Sequence, residues 1–591
     1  MIVEIEPQSD KRFTLRERFL RSDGMRGYLL LSPTLLIVAG IMIVPFLGLI
    51  VLSLWTQTGY NKFDTTLTLD NFVWAFSNEM YRALFNRSVI VSGLTTLFTV
   101  ALAYPMAYFV AFHVHRRKLL WIILMTLPFW TSYLLRVFVW KVILGYNGVI
   151  NSGLLWLGLI QEPLTVLLYN PSAVVITLTH AWAAFAILPI YVSLEKIDRS
   201  LVEAATDLGD GLIARFFKVI LPLSLPGVIA ASVLIFIPTV GDYVTPSLVG
   251  GSDGYMIANA IQFQFGRGNN WPLGAALSLS SHGHCHFDHG GLFLGDTKAN
   301  GAHCVNAIAE PIRTKKRSKT LLVYAFFYLS FLYVPVLFLP LFSFNDSIYI
   351  SFPFRGFTLE WYRGMLVNQA MHSALFNSLR VGLFVSVTST VLGIFAAKAV
   401  TRYRIPGRKP VIGMIMLPLV IPEIIVAVAL LIFILQAGGK LSLYSIALGH
   451  ILLCVPFAMA VLMSRFEGFD QAMEEASMDL GENGWWTFWR VTFPIVLPGV
   501  IASLLLCFTI SFDEFIIAFF LGGTDPTLPV YMWNQLRFPK LLPGVLALGA
   551  CIFFVSFLVI GFAEWIRQRN DHLLSRTGVE TAIPSQIVGG E

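Results

Sequence analysis

Apolar runs long enough to cross the roughly 30 Å hydrocarbon core, about 20 residues each, recur along most of this chain. They lie near 28–55, 88–112, 119–143, 173–193 and 223–250, and again near 320–343, 376–400, 411–436, 441–463, 495–520 and 545–566. Backbone in hydrocarbon must satisfy its own hydrogen bonds, so such runs predict helices. The expectation is an all-α polytopic membrane protein. Five runs fall in the first set and six in the second.

Basic residues accumulate in cytoplasmic loops, which gives the runs a direction. Lys11, Arg12, Arg16, Arg18, Arg21 and Arg26 precede the first run. His115-Arg116-Arg117-Lys118 follows the second, and Arg313, Lys315, Lys316, Arg317 and Lys319 precede the second set. Arg402, Arg404, Arg408 and Lys409 fill the next such turn, and Arg567 and Arg569 lie in the C-terminal tail. Residues 144–172 hold no Lys or Arg at all. Both termini are therefore expected in the cytoplasm. The first run lacks a small-residue cleavage site and is too long for a signal peptide, so it is expected to be a retained span.

The two sets repeat each other. Glu203-Ala204-Ala205-Thr206-Asp207-Leu208-Gly209 matches Glu475-Ala476-Ser477-Met478-Asp479-Leu480-Gly481. Leu221-Pro222-Leu223-Ser224-Leu225-Pro226-Gly227-Val228 matches Phe493-Pro494-Ile495-Val496-Leu497-Pro498-Gly499-Val500, every pair 272 positions apart. Both copies sit in an inside loop before a late span, so the repeat is parallel rather than inverted. The halves are placed at 1–280 and 319–591, with an anomalous polar segment and linker at 281–318.

The repeated loop has a physical use. Its small side chains permit close approach of another surface, and Gly209 and Gly481 can turn the chain at positive φ. Pro222 and Pro226 are expected to bend the chain as it re-enters the membrane. Two such knobs would engage a two-fold symmetric partner, whereas an ordinary amphipathic connector would have no reason to recur in register. Glu-Ala-Ala, three residues, Gly, nine residues, an aliphatic residue, one more, then Leu-Pro resembles the EAA loop of ABC-importer permeases. The match is close in the first half, with Val219 in the aliphatic place. It is looser in the second, where Ser477 and Phe493 depart from the pattern.

The resemblance spreads further. Phe236-Ile237-Pro238-Thr239-Val240-Gly241-Asp242-Tyr243-Val244-Thr245-Pro246 and Asn270-Trp271-Pro272-Leu273-Gly274-Ala275-Ala276 look like one of the two spermidine/putrescine permeases. Ser343-Phe344-Asn345, Gly356-Phe357-Thr358-Leu359-Glu360-Trp361-Tyr362, Pro418-Leu419-Val420-Ile421-Pro422-Glu423, Ser511-Phe512-Asp513-Glu514-Phe515 and Thr527-Leu528-Pro529-Val530 look like its partner. The resemblance implies an ABC-importer permease fold, with two parallel repeats of about six helices, in a bacterial inner membrane. It implies a coupling loop in each half, built on Glu203, Ala204, Ala205, Gly209 and Pro222, and on Glu475, Ala476, Gly481 and Pro494. It further implies a cytoplasmic ATPase subunit dimer, a periplasmic solute-binding protein, and a polyamine or similar cationic solute. Relatives with similar motifs import opines, other amino compounds, phosphonates or iron(III), so the solute stays open. A secondary transporter would also have two six-span halves but would need no docking knob.

Composition agrees. With 56% hydrophobic and 13% charged residues, there is too little charge to coat several soluble cores. A net charge of +6 over 591 residues gives no support to nucleic-acid binding. The five cysteines suggest no disulfide framework: Cys454, Cys507 and Cys551 fall in apolar runs, and Cys285 and Cys304 flank a polar stretch. No Gly-x-x-x-x-Gly-Lys-Ser/Thr phosphate loop is present. Neither covalent chemistry nor a cofactor is expected of the chain, and no residue is assigned as catalytic.

Ionisable groups inside spans are costly and point to function. Asp242, Glu423, Asp513 and Glu514 stand in or beside apolar runs, and Asp242 aligns with Glu514 in the repeat. Facing a cavity, they would replace water around an ammonium group, with Trp130 or Tyr133 adding cation–π contact. The plainer alternative is that they cap broken helices or pair with Arg136 and Lys141.

One stretch resists this picture. His284-Cys285-His286-Phe287-Asp288-His289-Gly290-Gly291 has the His-x-His-x-Asp-His spacing of metallo-β-lactamase-type hydrolases, but that fold needs a whole domain of further ligands. An isolated metal loop is the smaller alternative, and no metal site is assigned. A sixth span is due here; without it the second repeated loop would face the wrong side. As written, the segment would bury Asp288, Asp296 and Lys298, at about 2.5–3.5 kcal/mol each near a helix centre. Reading His282 to Leu294 one base later permits a largely apolar run. The expectation is a frame-shifted sixth span with a compensating shift before Arg313, the alternative being a true insertion.

Overall fold

The computed structural model describes residues 22–60, 62–114, 117–281, 319–348, 354–555 and 557–558. In the first half the long helices are α1 (Asp23–Ser53), α3 (Glu79–His113), α5 (Tyr133–Leu144), α7 (Pro171–Glu195) and α9 (Leu221–Val240). Shorter elements join them: strands β1 (Thr56–Gly59) and β2 (Lys62–Asp64), then α2 (Asp70–Ser77), α4 (Lys118–Thr126), α6 (Val149–Trp156), α8 (Arg199–Asp207) and α10 (Ile257–Phe265). A last helix, α11, occupies residues 271–281.

The second half repeats the order. It contains α12 (Lys319–Ser343), α13 (Glu360–Val367), α14 (Gln369–Arg402), α15 (Arg408–Met416), α16 (Glu423–Gln436), α17 (Leu443–Glu467), α18 (Ala472–Asp479), α19 (Phe493–Asp513), α20 (Ile516–Leu521), α21 (Leu528–Gln535) and α22 (Leu542–Val555). Among the described residues nine helices are long and apolar enough to cross a membrane, or ten if one bent pair counts as a span.

The repeat is structural as well as sequential. Asn78 caps α3 by accepting from Met80 N, and Asn368, 290 positions later, caps α14 by accepting from Met371 N. Such Asn caps satisfy otherwise orphaned N–H groups at a helix start. The offset falls from 290 to 272 between α5 and α7, so the first half carries an 18-residue insertion there. Helix α6 lies in it, pinned by Asn151, whose side chain bonds the N–H and carbonyl of Leu164.

Within each half the tightest packing is α3 on α7 and α14 on α17. The first helix of each half crosses to the other. Helix α1 lies on α14, α16 and α17, where Thr34 donates to the Leu392 carbonyl at 2.8 Å. Its start is seated on the turn after α14: Asp23 accepts from Arg404 N at 3.0 Å and Tyr28 donates to the Pro406 carbonyl at 2.5 Å. A Cβ on Gly27 would stand 2.7 Å from Ile405 Cγ1, so a larger residue would not fit. Helix α12 lies on α3, α5 and α7 and is tied by tyrosine hydroxyls: Tyr324 to Leu102, Tyr328 to Ala183 and Tyr333 to Leu124. The exchange makes each half incomplete without the other.

The apolar runs are not all continuous spans. The runs 119–143 and 411–436 are not straight spans. Each breaks where a Leu-Pro pair enters a 3-10 turn, Leu127–Trp130 and Leu417–Leu419, and the second bends by 92°. Proline cannot donate to the preceding turn and favours an extended residue before it. The runs 223–250 and 495–520 also break, at Gly241-Asp242 and Glu514-Phe515. Pro222 and Pro226, by contrast, sit in a continuous helix. A π turn, Phe216–Ile220, widens the helix just before Pro222, and Leu212–Val240 continues as one span. The all-α expectation holds, with one short antiparallel hairpin, β1 and β2, beside the helices.

Helix α11 is buried over nearly its whole described length, and the described residues of this half end at Ser281. Its counterpart α22 is an apolar helix of 14 residues, Leu542–Val555. The His284–Gly291 cluster and the expected frame-shifted span lie outside the described residues, as do both chain termini. Resequencing the gene across codons 275–320 is expected to show two compensating frame changes and a largely apolar sixth span. A His-rich frame confirmed in a transport-competent protein would contradict that.

Candidate functional site

The breaks bring their polar residues together at the meeting of the halves. Each broken helix restarts with unpaired N–H groups and a positive dipole end, which carboxylates satisfy. Asp242 is buried (3% exposed), and its Oδ1 accepts from Val244 N at 2.8 Å and Thr245 N at 3.3 Å. Its Oδ2 accepts from the Tyr133 hydroxyl at 2.5 Å, and that hydroxyl also lies 2.7 Å from Thr245 Oγ1. Glu514 is buried too; its oxygens accept from Ile517 N at 2.8 Å and Ala518 N at 3.1 Å. His450 Nε2 stands 2.9 Å from Glu514 Oε2, and its Nδ1 lies 2.8 Å from Ser511 Oγ. Asp242 and Glu514, aligned by the repeat, thus cap equivalent restarts.

The remaining two carboxylates differ. Asp513 Oδ2 accepts from Tyr133 N at 3.0 Å, so a residue of the second half closes the break of the first. At the equivalent crossing Gly241 replaces the aspartate, and a Cβ there would stand 2.6 Å from Pro422 Cβ. Glu423 opens α16, half-buried, and among the described residues no hydrogen bond or ion pair ties its carboxylate down. Glu514, Asp242 and Asp513 lie close enough for their charge to act on it. Three carboxylates therefore serve as helix caps, and the fourth has no such bond among the described residues.

Arg136 is buried (4% exposed), donates to the Ala181 carbonyl at 2.9 Å, and lies near Asp513. Its guanidinium is 5.9 Å from the Tyr133 ring centroid. Lys141 forms no described contact with the carboxylates, so that part of the pairing alternative is not seen. Trp130 ends the 3-10 turn, and its side chain lies outside the described residues. Sequence reasoning missed Ser511 and His450; a histidine inside an apolar run was the available signal for the latter.

The repeated loops form knobs of closely matching local geometry. In the first, Asp198 caps α8 by accepting from Ser200 N at 2.9 Å, a bond that holds its carboxyl below the usual range. Ala205 turns inward, while Glu203 and Ala204 are exposed. Leu208 follows, 87% exposed, and Gly209 turns the chain at φ +87°. Asp210 N then closes back on the Ala205 carbonyl, a left-handed C-terminal stop. In the second, Glu475 and Ala476 are exposed, Leu480 is 88% exposed, Gly481 has φ +92°, and Glu482 N closes on Ser477. Lys218 pairs with Asp210 at 2.6 Å, and Arg490 pairs with Glu482 at the matching place. Pro222 and Pro494 open the helices that return into the bundle. Exposed leucines on two rigid, matched knobs form a surface suited to another protein.

The family described as binding-protein-dependent transport system inner membrane component matches the chain twice, over residues 28–281 and 389–572. The spermidine/putrescine transport system permease protein PotB of Haemophilus influenzae is 36% identical over 239 residues, 40% of this chain and 82% of that protein. PotC of the same organism is 30% identical over 244 residues, 41% of this chain and 94% of that protein. PotB of Escherichia coli is 35% identical over 237 residues, 40% of this chain and 86% of that protein. Among solved structures, a bacterial ABC transporter involved in import of the acidic polysaccharide alginate matches 47% of this chain and all of its own. Its sequence identity is 19% and its TM-score 0.38.

Proposed function

The chain belongs to the binding-protein-dependent transport system inner membrane components, and from that membership we propose that it is the fused permease of a polyamine importer. Both permease halves lie in one inner-membrane, multi-pass polypeptide. In this reading the α8 and α18 knobs face the cytoplasm and dock a pair of ATPase subunits, which supply the hydrolysis. A periplasmic binding protein delivers the solute to the opposite face, and both termini are cytoplasmic. The halves are assigned to residues 1–280 and 319–591.

The observation that carries the solute class is the gathering of Asp242, Glu423, Asp513 and Glu514 where the halves meet. A polyamine carries several separated ammonium groups. A path with the Glu423 carboxylate and three more held in place replaces part of their lost hydration. Relatives named for spermidine and putrescine, at 30–36% identity, point the same way. An anionic opine or phosphonate would meet repulsion at the same place.

Coupling follows from the shared geometry. Asp513 of the second half holds the first-half break at Tyr133, so rocking one half against the other moves the carboxylates with it. Closure of the ATPase pair would draw α8 and α18 together and open the breaks in turn to each side. Uptake of labelled spermidine by cells carrying this chain with its cognate subunits is expected to be competed by putrescine and not by a phosphonate, an opine or iron(III). Competition by one of the latter, with polyamines inert, would contradict the assignment.

A further inference from the structure

The two knobs are matched at their tips but fastened to the bundle by opposite chemistry. Glu474, immediately before Glu475, is 7% exposed and points into the bundle. Its Oε2 lies 3.1 Å from Arg402 Nε on α14; its Oε1 accepts from Thr492 Oγ1 at 2.5 Å and lies 3.9 Å from Lys398 Nζ. Arg402 also donates to the Phe469 carbonyl at 3.0 Å and lies 5.0 Å from that ring. Lys398 sits 4.8 Å from the Phe488 ring centroid. A buried carboxylate, two cations and a hydroxyl thus join α18, the π turn Phe488–Thr492 before α19, and the end of α14.

The repeat register names the counterparts in the first half. Glu474 and Thr492 correspond to Val202 and Ile220, and Lys398 and Arg402 correspond to Tyr108 and Phe112. These four apolar or aromatic residues belong to one hydrophobic cluster with Ile197 and Phe216, the counterparts of Phe469 and Phe488. One knob is therefore held mainly by packed side chains, which tolerate small slips, with Arg199 donating to the Ala111 carbonyl at 3.4 Å. The other is held by an ion-paired cluster whose parts cannot be removed singly without leaving charge buried and unpaired.

We infer that Glu474 is a positioning residue that locks the second docking helix to α14, so that the second half transmits ATPase movement through a polar latch and the first through an apolar seat. The inference rests on the docking role proposed above. Glu474 contacts neither solute nor nucleotide; it acts by holding Glu475, Ala476 and Leu480 in register with the end of α14.

The test uses the full chain with its ATPase pair and binding protein in proteoliposomes, reading solute moved per ATP hydrolysed. Glu474→Ala is expected to lower that ratio about tenfold or more, with ATPase pair still bound. Val202→Ala is expected to leave the ratio within about twofold. Replacing the polar set by its first-half counterparts, Lys398→Tyr, Arg402→Phe, Glu474→Val and Thr492→Ile together, is expected to restore most of it, since an apolar set of matching shape can substitute for buried ions. If Glu474→Ala does not accumulate in the membrane, Glu474→Gln, which keeps the Thr492 bond and loses the charge, is read instead with the same expectation. An unchanged ratio in the single variant that accumulates, or a fourfold variant as defective as the single one, overturns the inference. Failure of the unmutated chain to bind the ATPase pair at all would instead sink the docking role.

Discussion

Replacing Gly209 and Gly481 together by valine is expected to cut ATP-driven uptake by about a hundredfold while the protein still inserts. Both glycines sit at positive φ, +87° and +92°. A β-branched side chain in the left-handed region costs about 1–2 kcal/mol per residue, near a factor of ten each. Nothing lies within 4 Å of a Cβ at either site. The penalty is therefore backbone conformation and not crowding, and it falls on the turn that aims Leu208 and Leu480 outward. Asparagine tolerates the left-handed region, so the Gly209→Asn, Gly481→Asn pair should keep much of the activity. Uptake, membrane content and ATPase co-purification measured side by side check this. Normal uptake by the valine pair would remove the knobs from the coupling path.

The second large effect is expected at the carboxylates. Glu423→Gln should lower the uptake rate of a polyamine about thirtyfold at saturating loaded binding protein. At roughly 8 Å and an effective dielectric near 20, one charge contributes about 2 kcal/mol to holding an ammonium. Glu423 is the cleanest site because its carboxylate forms no described bond that the amide would disturb. Asp242→Asn and Glu514→Gln should also reduce uptake, but each alters a helix cap and, for Glu514, a histidine contact. Unchanged uptake in all three would place the solute elsewhere.

Much of this architecture was legible in the sequence because membrane helices announce themselves by composition alone. The repeat at 272 positions located both knobs, and glycine at 209 and 481 carried its own conformational signal. The breaks were harder to read. Leu127-Pro128 and Leu417-Pro418 interrupt their spans, whereas Pro222 is absorbed by a π turn, and nothing local separates the two cases. The partners lie far off in sequence: Asp513 caps the first break at Tyr133, 380 residues away, and Gly241 packs against Pro422 at the second. The carboxylates were found as candidates from their cost in an apolar run. Their division into three caps and a fourth group without such a bond among the described residues depended on partners distant in sequence. The 18-residue insertion and the exchange of α1 and α12 between halves left no periodic mark at all.

ATP hydrolysis, not an ion gradient, is expected to drive transport. Proteoliposomes holding this chain with its ATPase pair, and loaded binding protein on the opposite side, are to be assayed for accumulation of labelled spermidine. Accumulation should require ATP on the α8/α18 face and should vanish when the ATPase pair or the binding protein is left out. Accumulation that persists without ATPase and follows an imposed ion gradient would contradict the account and make the chain a secondary transporter.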